Sequence, residues 1–354
     1  MATVGNTYLN LVDTMKSTQD GKTHAAIIEL LMQNTGILDD AVAVACNNGN
    51  KHKHTIRTKL PSNAWGALYQ GIPQSKSAKQ QVEDTTGFLE AASAVDTRMG
   101  EVTSGGLLNS VRLSEAAAHA ESMAQEAATG LFYHDTATTP EKFKGLDARY
   151  GQLATFGEGN QIVDAGGIGS DNTSIYFVTW GEDTTHLIYP AGATAGLKRE
   201  DHGKQRALDA NGNPYYIFEE TFRWHLGLAI ADYRYNSRIA NIDVSNLIAD
   251  PTSIDGAGTS IYDVMRKAFY KLQSRRANRA GNNMKNQAGK IRQLAIYCNS
   301  DVLEALDAVG TNSGANDNFV RLRPMEIQGE EVLTYRGIPI RETDALLNTE
   351  ARVV

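Results

Sequence analysis

The amino-acid sequence predicts an α+β fold with an N-terminal arm and a long hairpin that project from the folded body. One stretch has strong helical periodicity, a glycine-punctuated middle region is rich in β-forming residues, and two N-terminal segments hold few apolar residues. With 354 residues, the chain is long enough for about two domains and a sizeable core. No run approaches the ~18 consecutive apolar residues of a transmembrane helix, so no membrane partner is predicted.

Composition and charge exclude several classes of protein. Hydrophobic residues make up 41% and charged residues 21% of the chain, which is typical of a soluble globular protein. The net charge of −7 argues against a dedicated nucleic-acid binder, but it is compatible with a protein that encloses nucleic acid without gripping it. The two cysteines, Cys46 and Cys298, form neither a disulfide framework nor a zinc cluster, which favours a reducing compartment.

The projecting hairpin is predicted within residues 41–95. AVAVAC indicates a short strand, NNGN a turn, and KHKHTIRTKL alternates basic or polar residues with others at a period of two. Residues 51–79 contain six lysines and arginines and no acidic residue. Because an isolated two-stranded ribbon is marginally stable in water, this hairpin is predicted to become ordered by lying on another surface.

The strongest helix is predicted over residues 110–132. At 1.5 Å per residue it forms a rod of roughly 35 Å. Asn109 or Ser110 can cap its start, and charged residues lie off its apolar stripe. The stripe is predicted to contain Leu113, Ala116, Ala117, Ala120, Ala124, Ala127, Ala128 and Leu131.

The remainder of the chain predicts strands followed by mixed structure. Residues 160–245 predict several antiparallel strands, with a tight turn at Asn211-Gly212. Ser260 and Asp263 indicate a capping box that opens a helix over 260–280. The later predicted elements are a buried strand over 291–298, a helix over 301–309 that Gly310 ends, and strands over 331–335 and 338–342.

No catalytic, cofactor-binding or metal site is predicted. The sequence contains no phosphate-binding loop, nucleophile elbow, HExxH or CxxC motif. His52 and His54 form an HxH pair, but four cations crowd the same segment, so a solvated basic hairpin is predicted rather than a metal site. Glu200-Asp201-His202 lacks an identifiable nucleophile and is predicted to be a surface loop.

The one charge anomaly is residues 264–292, which carry nine lysines and arginines and no acid. A solvated face or a subunit contact is the first interpretation of this run, and direct contact with nucleic acid is the second. Arg275, Arg276 and Arg279 lie at its centre.

Several collinear stretches resemble the major capsid proteins of tailed double-stranded DNA bacteriophages, particularly a branch found in short-tailed phages. One departure is Gly66, where the resemblance leads us to expect a basic residue after Trp65. The matching stretches are TIRTKLPSNAWGALYQGIPQSKS (55–77), VEDTTGFLEAASAVD (82–96), LFYHDTATTPEKFKGLDARY (131–150), AGGIGSDNTSIYFVTWG (165–181), IYPAGATAGL (188–197), DYRYNSRIANID (232–243) and YRGIPIRETDAL (335–346).

The resemblance implies an HK97-like capsid fold. Its parts would be an N-terminal arm (1–40), an extended β-hairpin loop (41–95), a peripheral domain (96–245) with a spine helix (110–132) and a β-rich insertion (about 160–220), an axial domain (246–330) and C-terminal strands (331–354). A structural role without enzymatic activity follows. The chain would form pentamers and hexamers of an icosahedral shell that encloses double-stranded DNA without sequence-specific binding.

The resemblance also implies location in the virion capsid, assembly in the host cytoplasm, and scaffolding, cement or decoration, and portal proteins as further partners. Two alternatives stay open: an encapsulin-like cage with another cargo, and an enzyme or ligand-binding protein with its site in the β region. The residues predicted to contact neighbouring subunits are Trp65, Leu68, Tyr69, Ile72, Lys51 and Arg57 of the loop, Glu115 of the spine helix, and Arg275, Arg276, Arg279, Asp301 and Glu304 around the ring.

Overall fold

The computed structural model describes most of the chain beyond the N-terminal arm. The described residues are 18–19, 23–24, 31–99, 107–209, 211–256, 258–273, 283–285, 291–312, 323–327 and 330–354. Most of the predicted arm lies outside them. Within the arm, the short strands β1 (Thr18–Gln19) and β2 (Thr23–His24) form a two-stranded antiparallel pair.

The body is built on one large mixed β-sheet. Its strands are β3 (Ala43–Ala45), β6 (Gly87–Asp96), β7 (Ile162–Asp164), β8 (Asn172–Trp180), β9 (Thr185–Tyr189), β10 (Lys198–Leu208), β11 (Pro214–Ile230), β12 (Ser237–Asp243), β13 (Asn283–Lys285), β14 (Ile291–Cys298), β15 (Arg323–Ile327), β16 (Glu330–Tyr335) and β17 (Ile338–Glu342). The main strand order is β10-β11-β9-β8-β14-β17-β16-β15. The other strands of the sheet branch from this order: β12 pairs with β7 and β8, β6 with β11, β3 with β9 and β13 with β14.

The predicted strands are present, but their pairing is only partly antiparallel. The long hairpin of β10 and β11 turns at Asn211-Gly212, where Gly212 has a φ of +84°. The region contains several antiparallel pairs, as predicted, but β7 pairs in parallel with β12. More than 70 residues separate these two strands in sequence, and a connection of that length permits the crossover that parallel pairing needs.

Helices cover both faces of the sheet. They are α1 (Gly36–Asp40), α2 (Leu107–Tyr133), α3 (Leu146–Arg149), α4 (Val244–Ala249), α5 (Ile261–Lys271) and α6 (Ser300–Asn312). Central strands bury alternate residues on opposite faces: on β8, Ile175 and Phe177 pack in the cluster with α5 and α6, whereas Tyr176 and Trp180 pack in the cluster with α2. Among the described residues, no helix is long and apolar enough to cross a membrane.

The long helix α2 confirms the helix predicted over 110–132 and corrects its apolar stripe. Its second half buries Ala127, Ala128 and Leu131 against the sheet, as predicted. Near its start Leu113 is 63% exposed, so its predicted place in the buried stripe was wrong. The reason is that the first half of α2 covers only a small cluster on β6 and β11, centred on Phe222.

The C-terminal half contains the predicted elements, but the helix predicted over 260–280 is shorter and the caps differ from the prediction. Helix α5 ends at Lys271, and the Ser260 side chain makes no capping hydrogen bond, so the predicted capping box is absent. Helix α6 begins at Ser300 and is capped by Asn299, whose Oδ1 accepts a hydrogen bond from Val302 N (3.0 Å). The helix continues through Gly310, which the sequence predicted as its end.

The predicted hairpin is a separate two-stranded sheet made of β4 (Lys51–Lys59) and β5 (Ala78–Thr85). We call this sheet the ribbon, and residues 60–77, which connect its strands, the loop tip. On either side of the ribbon, β3 and β6 join the large sheet, which fixes the ribbon's base to the body. The predicted loop is therefore anchored at its two ends and extended in its middle.

Candidate functional site

The loop tip carries a group of exposed apolar side chains. Trp65 and Tyr69 are fully exposed (101% and 106%), and Leu68 and Ile72 are nearly so. Two hydrogen bonds shape the tip, from Ser75 Oγ to Ser62 O (2.8 Å) and from Gln70 N to Ala67 O (3.3 Å). All four predicted anchor residues thus stand together in solvent, and an apolar group of this kind typically marks an interaction site.

The ribbon carries an excess of positive charge towards its tip. Arg57 lies directly opposite Lys79 in the strand register, a like-charged pair that disfavours the isolated ribbon. Among the described residues, no acid pairs with Arg57, Lys59, Lys76 or Lys79. Near the base, Lys51 and Lys53 pair with Glu83 (3.5 and 2.7 Å), so the predicted contact residue Lys51 already has a partner within the ribbon.

The base of the ribbon is held by a buried ion pair. Arg149 Nη2, on α3, donates to Asp84 Oδ1 (2.6 Å) and to Leu228 O (3.0 Å). His54 packs beside Asp84 with only 14% of its side chain exposed. The prediction of a solvated hairpin at His52 and His54 is therefore wrong at the base, because α3 and the large sheet cover it.

The acidic face of α2 is mostly occupied by partners from the same chain. Glu121 accepts hydrogen bonds from Gln33 N (3.0 Å) and Gln125 Nε2 (2.8 Å). Glu126 accepts from Lys142 Nζ (2.8 Å) at the rim of an apolar cavity of about 260 Å³. Within the described residues Glu115 has no hydrogen-bond or ion-pair partner, so the predicted acidic contact on this helix remains free.

The basic run 264–292 is partly paired inside the chain. Lys271 Nζ donates to Asn160 O (2.7 Å) and Ile162 O (2.6 Å). Arg292 Nη2 pairs with Asp183 (2.5 Å), and Arg266 Nη2 pairs with Asp263 (2.6 Å). These three cations therefore already have partners within the chain. The central residues Arg275, Arg276 and Arg279 lie outside the described residues.

Of the acids predicted to meet this run on the next subunit, Asp301 is bound within the chain and Glu304 is exposed. Asp301 Oδ2 accepts a hydrogen bond from Asn348 Nδ2 (2.5 Å), so it is used within the chain. Glu304 is exposed on α6, and no partner for it is found in the part of the chain that the structure describes.

Asp201 and His202, which the sequence predicted on a surface loop, lie on strand β10, and each has a partner from another element. Asp201 is bound by Arg112 Nη2 (2.7 Å), and His202 Nε2 lies 2.8 Å from Thr221 Oγ1. Throughout the described ranges, no group of three or more histidine, cysteine or acidic side chains is arranged to hold a metal ion.

Sequence reasoning missed a buried network that closes the C-terminus onto the body. Arg238, on β12, is fully buried, and its guanidinium binds Glu350 Oε2 (2.8 Å), Asp147 Oδ1 (2.5 Å) and Tyr150 O (2.8 Å). Glu350 also accepts a hydrogen bond from Tyr133 Oη (2.5 Å). The only sequence signal was an arginine next to the apolar pair Ile239 and Ala240, and that signal does not name its partners.

Comparison with known proteins gives a matching family model and a strong structural match. The family model described as Major capsid protein GP7 matches residues 18–354. No curated protein matches the chain significantly. A chain from the structure of bacteriophage Epsilon15 is 28% identical over 100% of this chain and 99% of that chain, with a TM-score of 0.76.

More distant capsid and cage structures are also similar. The capsid of a native GTA particle is 10% identical over 63% of this chain and 95% of that chain, with a TM-score of 0.44. An encapsulin complex from Synechococcus elongatus PCC 7942 is 10% identical over 66% of this chain and 95% of that chain, with a TM-score of 0.39. Both scores are too low to separate a phage shell from another cage.

Proposed function

The chain belongs to the major capsid protein GP7 family, and we propose that it closes into the pentamers and hexamers of an icosahedral shell that encloses double-stranded DNA. It is a structural protein of a bacteriophage capsid, with the HK97-like fold. We further propose that it has no enzymatic activity, that it assembles in the host cytoplasm, and that scaffolding, decoration and portal proteins complete the particle.

The observation that carries this proposal is the exposed loop tip. Four apolar side chains stand in solvent on a ribbon that has no core of its own, so in the isolated chain they gain nothing from their position. In a shell, a heterologous contact passes from each subunit to the next and closes a ring, and an arm of this kind bridges the two. The loop tip is the proposed clasp of that contact.

Charge supports the same arrangement. Arg57, Lys59 and Lys79 of the ribbon and Lys76 of the loop tip have no acidic partner among the described residues, whereas the whole chain has a net charge of −7. The body of a second copy therefore offers a complementary surface, on which Glu115, also without a partner in the described ranges, is a proposed contact. Such pairs chiefly set orientation and register, and the apolar anchors supply most of the contact energy.

The proposed domain roles follow from the same fold. Helix α2 would be the spine of the peripheral domain, and the region around α5 and α6 would form the axial domain that lines the ring centre. The basic residues Arg275, Arg276 and Arg279 would then meet acids of the adjacent subunit, of which the exposed Glu304 is the best candidate. Enclosed DNA would be held by confinement, because an acidic protein of net charge −7 repels a polyanion.

Analytical ultracentrifugation of the full-length chain tests the ring stoichiometry. We expect species of five and six times the chain mass of 38.4 kDa, together with larger closed particles. Dimers or tetramers as the sole assembled species would contradict ring closure of five and six subunits.

Reversing the charge of the basic run tests whether it serves assembly or DNA. The Arg275→Glu and Arg276→Glu double variant is expected to weaken assembly, and raised salt is expected to weaken wild-type assembly, because exposed pairs contribute about 0–1 kcal/mol each and are screened. Light scattering measures assembly, and nuclease-protected DNA measures retention. Intact assembly with lowered DNA retention would assign this run to DNA instead.

A further inference from the structure

Three histidines meet where the ribbon joins the body. His52 and His54 share one face of β4, because side chains two residues apart on a strand point the same way. The His52 ring lies edge-on to the ring of His186 on β9, with 5.0 Å between ring centroids, and 6.5 Å from the ring of His54. We call His52, His54 and His186 the histidine cluster. It joins an outer strand to a core strand more than 120 residues away in sequence.

His186 is buried, His52 and His54 are partly buried, and four of their ring nitrogens lack a hydrogen bond within the described residues. Those four are both ring nitrogens of His186 and the Nδ1 atoms of His52 and His54. His186 is 1% exposed, and the nearby Gly181 carbonyl does not complete a hydrogen bond to its ring. A neutral imidazole tolerates this environment better than an imidazolium, whose charge would be costly to bury.

The charged groups that face the cluster come from several elements. Asp84 on β5 lies opposite His52 in the register, and its Oδ2 is 3.9 Å from His54 Nδ1. Arg149 on α3 already pairs with Asp84, so it largely neutralises the one acid in direct reach of the rings. Beyond this pair, Glu158 and Lys144 surround Arg149. A proton added to one ring would therefore lie near the positive charge of Arg149 and near two other histidines. The Asp84 carboxylate beside the rings is already paired with Arg149.

The histidine cluster lies at the base of the ribbon, so the ribbon cannot move away from the body without breaking contacts there. The ribbon is tied to the body by the Asp84–Arg149 pair and the His52–His186 contact. Just beyond it, the chain at Thr85 and Thr86 passes so close to Gly227 that a Cβ there would lie 2.8 Å from Thr85 O. The rest of the ribbon and the loop tip extend from this base.

We propose that the histidine cluster is a pH-sensitive latch, which holds the base of the ribbon on the body while the His54 and His186 rings are neutral and releases it when they are protonated. This proposal deepens the proposed function. It rests on the proposed function in one consequence only, which is that acidification would move the loop tip and thereby change the contact between subunits. The latch itself is a property of the single chain.

The direction of the pH effect follows from the ionisation of the rings. Burial and, to a smaller extent, the neighbouring His52 lower the pKa of His186 from 6.5 to about 4, although Asp84 acts in the opposite direction. Burial also lowers the pKa of His54, against the effect of Asp84. Because the pKa of His186 is depressed only while the latch is closed, closure is fully favoured above about pH 6.5 and loses this advantage as the pH falls towards 4.

Hydrogen–deuterium exchange of the full-length chain at pH 7.5 and pH 5.0 tests the latch. With a closed-state pKa of about 4 and an open-state value of 6.5, His186 alone raises the open population by about thirtyfold at pH 5.0. After correction for the intrinsic pH dependence of exchange, protection of the β4 and β5 amides should fall by tenfold or more. The core strands β8 and β14 serve as an internal reference and should keep their protection.

Two variants and one control separate the latch from general acid sensitivity. His186→Leu should keep the ribbon protected at pH 5.0, and the partly exposed position 52 offers His52→Gln as a milder second variant. His202→Gln, at an exposed histidine on β10, should show the wild-type pH response. Equal protection of the ribbon at both pH values, or an unchanged response in both variants, would overturn the latch. Hydrogen–deuterium exchange reports on the ribbon of each chain and not on the contact between subunits. Failure of the loop tip as a clasp would therefore produce neither of these two results.

Discussion

Replacement of Trp65 by alanine is expected to abolish or severely weaken assembly while the chain remains folded and soluble. Trp65 is fully exposed and contributes to neither core cluster, so its removal costs the isolated chain nothing. At a subunit contact, a buried tryptophan anchor contributes about 2 kcal/mol or more, which is at least tenfold in each contact's equilibrium constant. The loss is repeated around every closed ring, so its effect on shell yield is larger still.

Two measurements separate the effects of the Trp65→Ala variant. Circular dichroism should report a wild-type fold, and light scattering should report the loss of assembly. The matched Trp65→Phe variant retains an aromatic ring and should recover part of the assembly. Wild-type assembly of Trp65→Ala would refute the role of the loop tip as a clasp, and so would unfolding of the isolated variant.

Replacement of Arg238 by alanine is expected to have the opposite pattern, a large loss of stability that precedes any effect on assembly. The variant leaves the buried Glu350 without its cation and removes a hydrogen bond to Tyr150 O. Breaking a buried ion pair from one side costs about 3–5 kcal/mol of the free energy of unfolding. The C-terminal segment should lose its attachment first, because Glu350 is its main polar contact with Ser174 and Tyr133.

Chemical denaturation of the unassembled chain measures this effect, and a nearby arginine provides the control. Arg234 pairs with Asp232 (2.7 Å) at the surface, so Arg234→Ala should change the free energy of unfolding by about 0–1 kcal/mol. The double variant Arg238→Met with Glu350→Leu removes both charges and should recover part of the loss. Equal stability of the Arg238→Ala and Arg234→Ala variants would contradict the role assigned to the buried network.

Local sequence patterns predicted the elements whose burial follows a simple period. Helix α2 was identified from its alanine-rich stripe, and the ribbon from the alternation in KHKHTIRTKL. Strand β8 was recognised from its β-forming residues. Its two sets of side chains then fill both core clusters, which is why SIYFVTW is apolar almost throughout.

Features that depend on distant partners were not predictable in the same way. From the sequence of their own strand, His52 and His54 were predicted to be solvated. In the structure, His186 and Arg149 cover them, and these two residues lie on other elements. Arg238 is buried because Asp147 and Glu350 converge on it from positions about 90 and 110 residues away. The exposure of the loop-tip side chains could be predicted from sequence because nothing else in the described chain covers them.

The most direct test of the account is electron microscopy of negatively stained protein after size-exclusion chromatography of the expressed full-length chain. We predict elution in the excluded volume and closed shells of uniform diameter, with Trp65→Ala eluting as free subunits or small oligomers. A wild-type chain that is folded and soluble, yet elutes as one or a few subunits and forms no closed particles, would contradict the proposal that this protein builds a shell.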